Sequence, residues 1–218
     1  MVVLAFLTAV DVFAQASQPS PVSDPIRVAC VGDSITYGMR VSNRKANCYP
    51  AVLGRMMGAR YEVRNFGVSG ATVSRQGDLP YWDCPAFEAV SAFAPHIVVL
   101  MLGTNDSGLR EQEELDDFSR DYRNMIDHFT GLATPPRVFI CVPPPIFGIL
   151  RHNDRSGLEN NIIPRIRQAA AAKNLPVIDV HAALQNRRDL FPDGLHPNAA
   201  GAAIIAETVY KSLAASGE

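Results

Sequence analysis

Short, uniformly apolar runs alternate along this chain with longer segments whose apolar positions recur at helical spacing. Ile26 to Val31 (IRVACV) is a compact run that breaks at Gly32, the pattern of a buried strand ending in a turn. Tyr49 to Met57 has helical spacing, and Tyr61 to Phe66 (YEVRNF) alternates like a strand before Gly67. Pro85 to Phe93 predicts a helix ahead of Pro95. His96 to Leu102 (HIVVLML) is the strongest buried-strand signal and stops at Gly103. Glu111 to Phe129 is helical, with acidic residues in its first turn, where they oppose the positive end of the helix dipole. Arg137 to Val142 (RVFICV) is another strand, halted by Pro143-Pro144-Pro145. Ser156 to Lys173 is helical but contains Pro164, which predicts a kink or two pieces. Val177 to Val180 is a fifth strand, and Pro197 to Ala214 a final helix rich in small residues.

Strands that alternate with helices, each strand nearly all apolar, predict a parallel sheet covered on both faces. Ligands of such sheets bind at the carboxyl ends of the strands. The polar segments of this chain fall at those ends: Ser34 after the first strand, Gly67 after the second, Asn105 after the third. No internal repeat or second domain is evident, and the domain is expected to run from residue 26 to 218.

Composition narrows the picture. The chain has 218 residues, enough for one domain with a sizeable core, and a net charge of −2. No run of Lys or Arg is present, so neither nucleic acid nor an anionic membrane surface is an implied partner. Val2 to Val10 is almost entirely apolar, and Ala14-Gln15-Ala16 has the small-x-small form of a cleavage site. Residues 1–16 are therefore expected to be a signal peptide, too short to span a bilayer comfortably, with residues 17–25 as a Pro-rich linker. A buried first helix is the competing reading. Export would make the protein secreted or periplasmic.

Cys30 and Cys141 lie in apolar strands and read as buried small hydrophobes. Cys48 and Cys84 lie in polar, loop-like surroundings, where an exported protein would form a disulfide and a cytosolic one would keep two thiols. No Cys/His spacing has the form of a zinc site.

The candidate chemistry is in four segments. Gly32-Asp33-Ser34 allows a serine to project from a strand end, although Asp or Ser there is also a common helix cap. Asn65-Phe66-Gly67-Val68-Ser69-Gly70 can present a bare backbone N–H or simply turn the chain. Gly103-Thr104-Asn105-Asp106 offers an amide donor or an Asx turn. Asp193-Gly194-Leu195-His196-Pro197 places a carboxylate three residues before a histidine, within reach of Nδ1, which would leave Nε2 free to act as a base.

In this order the four segments resemble the SGNH hydrolase superfamily, the GDSL esterases and lipases, whose four blocks are named for Ser, Gly, Asn and His. The resemblance covers about Ile26 to Lys211, with GDSIT standing where the family name would give GDSL. It implies a three-layer α/β/α sandwich with a five-stranded parallel sheet of flavodoxin-like topology. It also implies a catalytic triad of Ser34, Asp193 and His196, an oxyanion hole from the Ser34 and Gly67 backbone N–H groups and the Asn105 side chain, and no cofactor or metal. The G-x-S-x-G elbow of the α/β-hydrolases is missing around Ser34.

NFGVSGAT, PYWDC and MLGTNDS are most similar to carbohydrate acetylesterases, including sialate O-acetylesterase-like proteins. That similarity implies an O-acetyl ester on a small molecule or glycan as substrate. Tyr81 and Trp82 lie in the loop before the third strand, where such aromatics either stack on a sugar or pack in the core. Arg40, Arg44 and Lys45 follow the serine turn and read as a solvated loop. His96, His128, His152 and His181 lack a carboxylate at comparable spacing and read as structural or exposed. A lysophospholipase or thioesterase with the same triad, a non-catalytic carbohydrate-binding protein on the same fold, and a metal hydrolase built on Asp33, Asp106, Asp193 and His196 are the rival readings. Oligomeric state is not legible.

Overall fold

A computed structural model describes residues 24–148 and 153–217. The expected signal peptide, all of the linker before Asp24, and His152 lie outside the described residues.

Five short apolar runs become the strands β1 (Ile26–Gly32), β2 (Tyr61–Gly67), β3 (Ile97–Met101), β4 (Arg137–Val142) and β5 (Val177–Asp179). They form one sheet in the order β2-β1-β3-β4-β5, and every pairing is parallel. Parallel neighbours need crossover connections, and helices supply them. In chain order these are α1 (Ser34–Tyr37), α2 (Arg44–Asn47), α3 (Tyr49–Met57), α4 (Pro85–Phe93), α5 (Gln112–Thr130), α6 (Arg155–Gly157), α7 (Ile163–Ala172), α8 (Val180–Leu184) and α9 (Ala199–Ala215). The five-stranded α/β/α sandwich expected from the sequence is the fold observed. Among the described residues no helix is long and apolar enough to cross a membrane.

The sheet separates two cores. On one face Val98, Leu100 and Ile140 pack against α4, α5 and α7 through Val90, Phe118, Tyr122 and Ile166. On the other Val99, Phe139 and Cys141 pack against α3, α8 and α9 through Leu53, Leu184, Ile205 and Val209. Residues of β3 are buried on both sides, which explains why their pattern is continuous rather than alternating.

Two local outcomes have clear causes. Pro164 lies in the first turn of α7, and the turn before it, Leu158–Ile162, is π-helical. A proline has no N–H and crowds the carbonyl four residues back, and the wider turn accommodates both defects. Cys48 and Cys84 are buried free thiols, so the disulfide considered for them does not form. They stand at the N-termini of α3 and α4, which cover opposite faces of the sheet.

β1 is the point where the chain reverses direction across the sheet: β2 lies on one side of it and β3 on the other. Such a switch point opens a crevice at the carboxyl ends of the two central strands. Ser34 follows β1 and Asn105 follows β3, so both border it.

Candidate active site

Ser34 is the first residue of α1, and Asp33 caps that helix by accepting a hydrogen bond from the Ile35 N–H at 2.9 Å. The cap and the serine are therefore parts of one turn, not competing explanations of it. Gly32 is obligatory there, because a Cβ would come within 2.6 Å of the Met101 carbonyl oxygen.

The far end of the chain meets this turn. The loop Asp193–Pro197 sits just ahead of α9, which Asn198 caps by accepting from the Gly201 N–H. Gly194 has φ +82 and its carbonyl accepts from the Phe147 N–H, which ties the loop to the segment after β4. His196 Nε2 lies 2.9 Å from Ser34 Oγ, and His196 Nδ1 lies 2.8 Å from Asp193 Oδ2. A carboxylate only accepts, so the proton sits on Nδ1 and Nε2 is left to accept from the serine hydroxyl. Burial pulls the Asp193 carboxyl upward. The hydrogen bonds it accepts from the His196 N–H, the His196 ring and the Leu195 N–H outweigh that pull and hold it at about 2. It is therefore ionised across the neutral range, as orienting an imidazole requires.

The loop after β3 is held from two sides. On one side Asp106 accepts from the Val73 and Ser74 N–H groups, and Asn105 Nδ2 donates to the Ala71 carbonyl at 2.9 Å. On the other side Asn153 Nδ2 donates to the Thr104 carbonyl at 2.9 Å and to Asn105 Oδ1 at 3.4 Å. Asn105 Nδ2 carries two hydrogens, so one remains after the Ala71 bond.

The family model described as GDSL-like Lipase/Acylhydrolase matches residues 30–204. The chain belongs to that family. A protein of Xylanibacter ruminicola named acetylxylan esterase is 36% identical over 215 residues, covering 90% of this chain and 45% of that protein. The chain thus spans less than half the length of that relative. Among solved structures, the acetylxylan esterase Axe2 from Geobacillus stearothermophilus superposes with a TM-score of 0.68 at 22% identity, covering 88% of this chain and 95% of the other. A putative arylesterase from Agrobacterium tumefaciens superposes with a TM-score of 0.70 at 20% identity, covering 87% and 98%. These two likenesses show the fold.

Within this GDSL-family site the second block needs correction. The Gly67 N–H expected to face a ligand donates instead to Asn65 Oδ1 at 2.9 Å. Gly67 is a packing glycine: a Cβ on it would collide with the backbone nitrogen of Tyr37 in α1. Three residues on, Gly70 adopts φ +84 in an exposed turn, and its N–H has no acceptor among the described residues. The same holds for the Ser34 N–H at the start of α1. The signal for this was in the sequence: an Asn two residues before a glycine commonly closes an Asx turn and consumes that glycine's N–H.

Tyr81 offers no face to a sugar, and Trp82 is half-buried with one face already covered. Tyr81 is fully buried, and its hydroxyl donates to the Phe66 carbonyl at 2.7 Å. Trp82 donates from Nε1 to the Val73 carbonyl, packs against Phe87 and is covered by the Arg75 guanidinium 3.7 Å from the ring centre.

Of the basic residues after the serine turn, Arg44 lies over the Tyr37 ring and Lys45 is exposed, but Arg40 reaches the site. Its Nε is 3.5 Å from Asp193 Oδ2. His96 and His128 are held elsewhere, by the Arg27 N–H and the Ser91 hydroxyl, and His181 Nε2 lies buried 3.6 Å from Glu159 with no hydrogen-bond partner among the described residues. Among the described residues no group of three or more His, Cys, Asp and Glu side chains is arranged to hold a metal ion.

Proposed function

We propose that the chain is a carboxylic ester hydrolase that removes O-acetyl groups from carbohydrates through an acyl-enzyme. The observation that carries this reading is the hydrogen-bonded line Asp193–His196–Ser34, closed between residues 162 positions apart, beside N–H groups without acceptors among the described residues. Ser34 Oγ attacks the ester carbonyl and His196 Nε2 takes its proton. The oxyanion accepts hydrogen bonds from the Ser34 N–H, the Gly70 N–H and the remaining Asn105 Nδ2 hydrogen. The intermediate collapses as His196 returns the proton to the leaving alcohol, and a water then repeats the sequence on the acyl-serine, restoring Ser34 and releasing the acid.

Two observations favour a short acyl group on a sugar. The groove of about 300 Å³ bordered by Asn105 is walled by Thr72, Ser74, Gln76, Asp78 and Asp106, with Leu109 as its single large apolar side chain. A fatty chain needs an apolar trough to repay its removal from water. The relative at 36% identity is named for acetylated xylan. Hydrolysis of p-nitrophenyl acetate, butyrate and octanoate, with acetate release from acetylated xylo-oligosaccharides, tests this. Rates are expected to fall with chain length and to vanish in Ser34→Ala. A rate that rises toward octanoate overturns the acetyl reading in favour of a lysophospholipase or thioesterase.

A further inference from the structure

Asn105 is useful as an oxyanion donor only if its amide presents nitrogen, not oxygen, to the reacting carbonyl. The two ends of an amide have nearly the same shape, so packing alone discriminates poorly between them, and hydrogen-bond partners must decide. Here each end has one. The Ala71 carbonyl accepts from Nδ2, and Asn153 Nδ2 donates to Oδ1. A flipped amide would set oxygen against the Ala71 carbonyl and nitrogen against the Asn153 amide, losing both bonds and creating two like-polarity contacts.

Asn153 is itself fixed. The same Nδ2 donates to the Thr104 carbonyl, which defines which end of the Asn153 side chain faces the loop. The next residue, Asp154, donates its N–H to Ser107 Oγ and caps α6 by accepting from the Gly157 N–H. Gly157 packs so closely on the Ser107 carbonyl that a Cβ would collide with it. Residues 153–157 thus lie pinned along residues 104–107, with Asn153 opposite Asn105.

We propose that Asn153 is a positioning residue that locks the Asn105 amide in its donor orientation. This rests on the reading of Asn105 as an oxyanion donor. Asn153 touches no reacting atom; it removes the alternative orientation in which an acceptor would face the developing negative charge. The lock matters most in the transition state, where the charge is largest, and little in the ground state.

The experiment is a double-mutant cycle on an acetyl ester, measuring kcat, KM and the thermal midpoint of wild type, Asn105→Ala, Asn153→Ala and the double variant. Deleting the donor in Asn105→Ala is expected to lower kcat about a hundredfold or more. Loosening it in Asn153→Ala is expected to cost about tenfold in kcat with KM within about twofold. In the Asn105→Ala background the Asn153→Ala change is expected to cost nothing further, because there is no amide left to orient. Asn153→Asp keeps the shape but puts acceptors against Asn105 Oδ1 and the Thr104 carbonyl, and is expected to lose more than Asn153→Ala. Equal losses of kcat in both backgrounds, a loss confined to KM, or full activity in Asn153→Asp would each overturn the proposal. If Asn105→Ala itself retains wild-type kcat, it is the oxyanion reading that fails, a result separate from any seen at Asn153.

Discussion

Replacing Asp33 by asparagine should stabilise the protein at neutral and alkaline pH while leaving it nearly unchanged in mild acid. Asp33 is 1% exposed; its Oδ1 accepts from the Ile35 N–H, whereas its Oδ2 has no hydrogen-bond partner among the described residues. Burial raises its carboxyl from 3.8 to about 7, with the Asp106 carboxylate adding to the rise and the Ile35 N–H and the neighbouring Thr104 hydroxyl relieving part of it. A carboxyl raised on folding binds its proton more tightly in the native state. Between the unfolded and folded values the native state therefore holds more protons, and stability falls as pH rises. At about 1.36 kcal/mol per unit, the rise from 3.8 to about 7 corresponds to roughly 4 kcal/mol, withdrawn progressively between pH 4 and pH 7. Asparagine keeps the Oδ1 acceptor and cannot ionise. Urea unfolding of both proteins at pH 4, 6 and 8 isolates the effect, because contributions from groups not coupled to Asp33 cancel in the difference. The variant's advantage should grow by about 3–4 kcal/mol from pH 4 to pH 8. A difference that stays constant across that range, or one that shifts in favour of wild type as pH rises, refutes the account of Asp33 as a buried, strained carboxylate.

Other outcomes follow from the same structure. Asp193→Asn puts a donor against His196 Nδ1 and forces the wrong tautomer, so kcat on an acetyl ester should fall about 10⁴-fold with the fold intact by circular dichroism. Arg40→Ala removes an ion pair whose arginine is 66% exposed, and Asp193 keeps its three internal hydrogen bonds. Its kcat should stay within about threefold of wild type and its unfolding free energy within about 0.5 kcal/mol. Trp82→Ala should cost about 2–3 kcal/mol in urea unfolding through lost packing on Phe87 and the lost Val73 bond, while KM for an acetylated xylo-oligosaccharide changes less than about twofold. A large rise in that KM would restore Trp82 to the substrate surface.

Which parts of this molecule could be read from its residues depends on how local the deciding physics is. Strands buried on both faces have to be apolar at every position, so IRVACV, HIVVLML and RVFICV announced themselves, and their parallel pairing followed from the helices between them. Ser34, Asn105 and His196 were legible as residues at strand ends or ahead of a helix because those places are set by the strands themselves. What was not legible turns on where single hydrogen bonds go. Gly67 and Gly70 look equivalent in NFGVSGAT, and only the bond from the Gly67 N–H to Asn65 separates a spent donor from an open one. Tyr81 and Trp82 have the composition of a sugar platform, yet the Phe66 and Val73 carbonyls engage both polar atoms, and the Tyr81 ring is fully buried. Cys48 and Cys84 were paired by their polar neighbours in sequence, which carry no information about the side of the sheet on which each helix packs.

The two buried carboxylates nearest the site show why such a site is stiff. Asp33 precedes the proposed nucleophile and Asp106 follows the proposed oxyanion donor. Each is almost wholly buried, and each has its carboxyl raised chiefly by burial, to about 7 and about 6. Neither position favours stability as a charge. Each instead binds backbone N–H groups that would otherwise be free to move: Ile35 at the start of α1, and Val73 and Ser74 in the loop that follows Gly70. Asp106 holds two such donors at once through Oδ1, and Asp33 holds one. The donors facing the crevice are thus set by bonds on the far side of their own loops, before any substrate arrives. Hydrogen-bond donors that need no reorganisation when charge develops are the largest single source of rate enhancement in acyl transfer. The stability forfeited at Asp33 and the orientation imposed on Asn105 are, on this argument, two aspects of one preorganised surface.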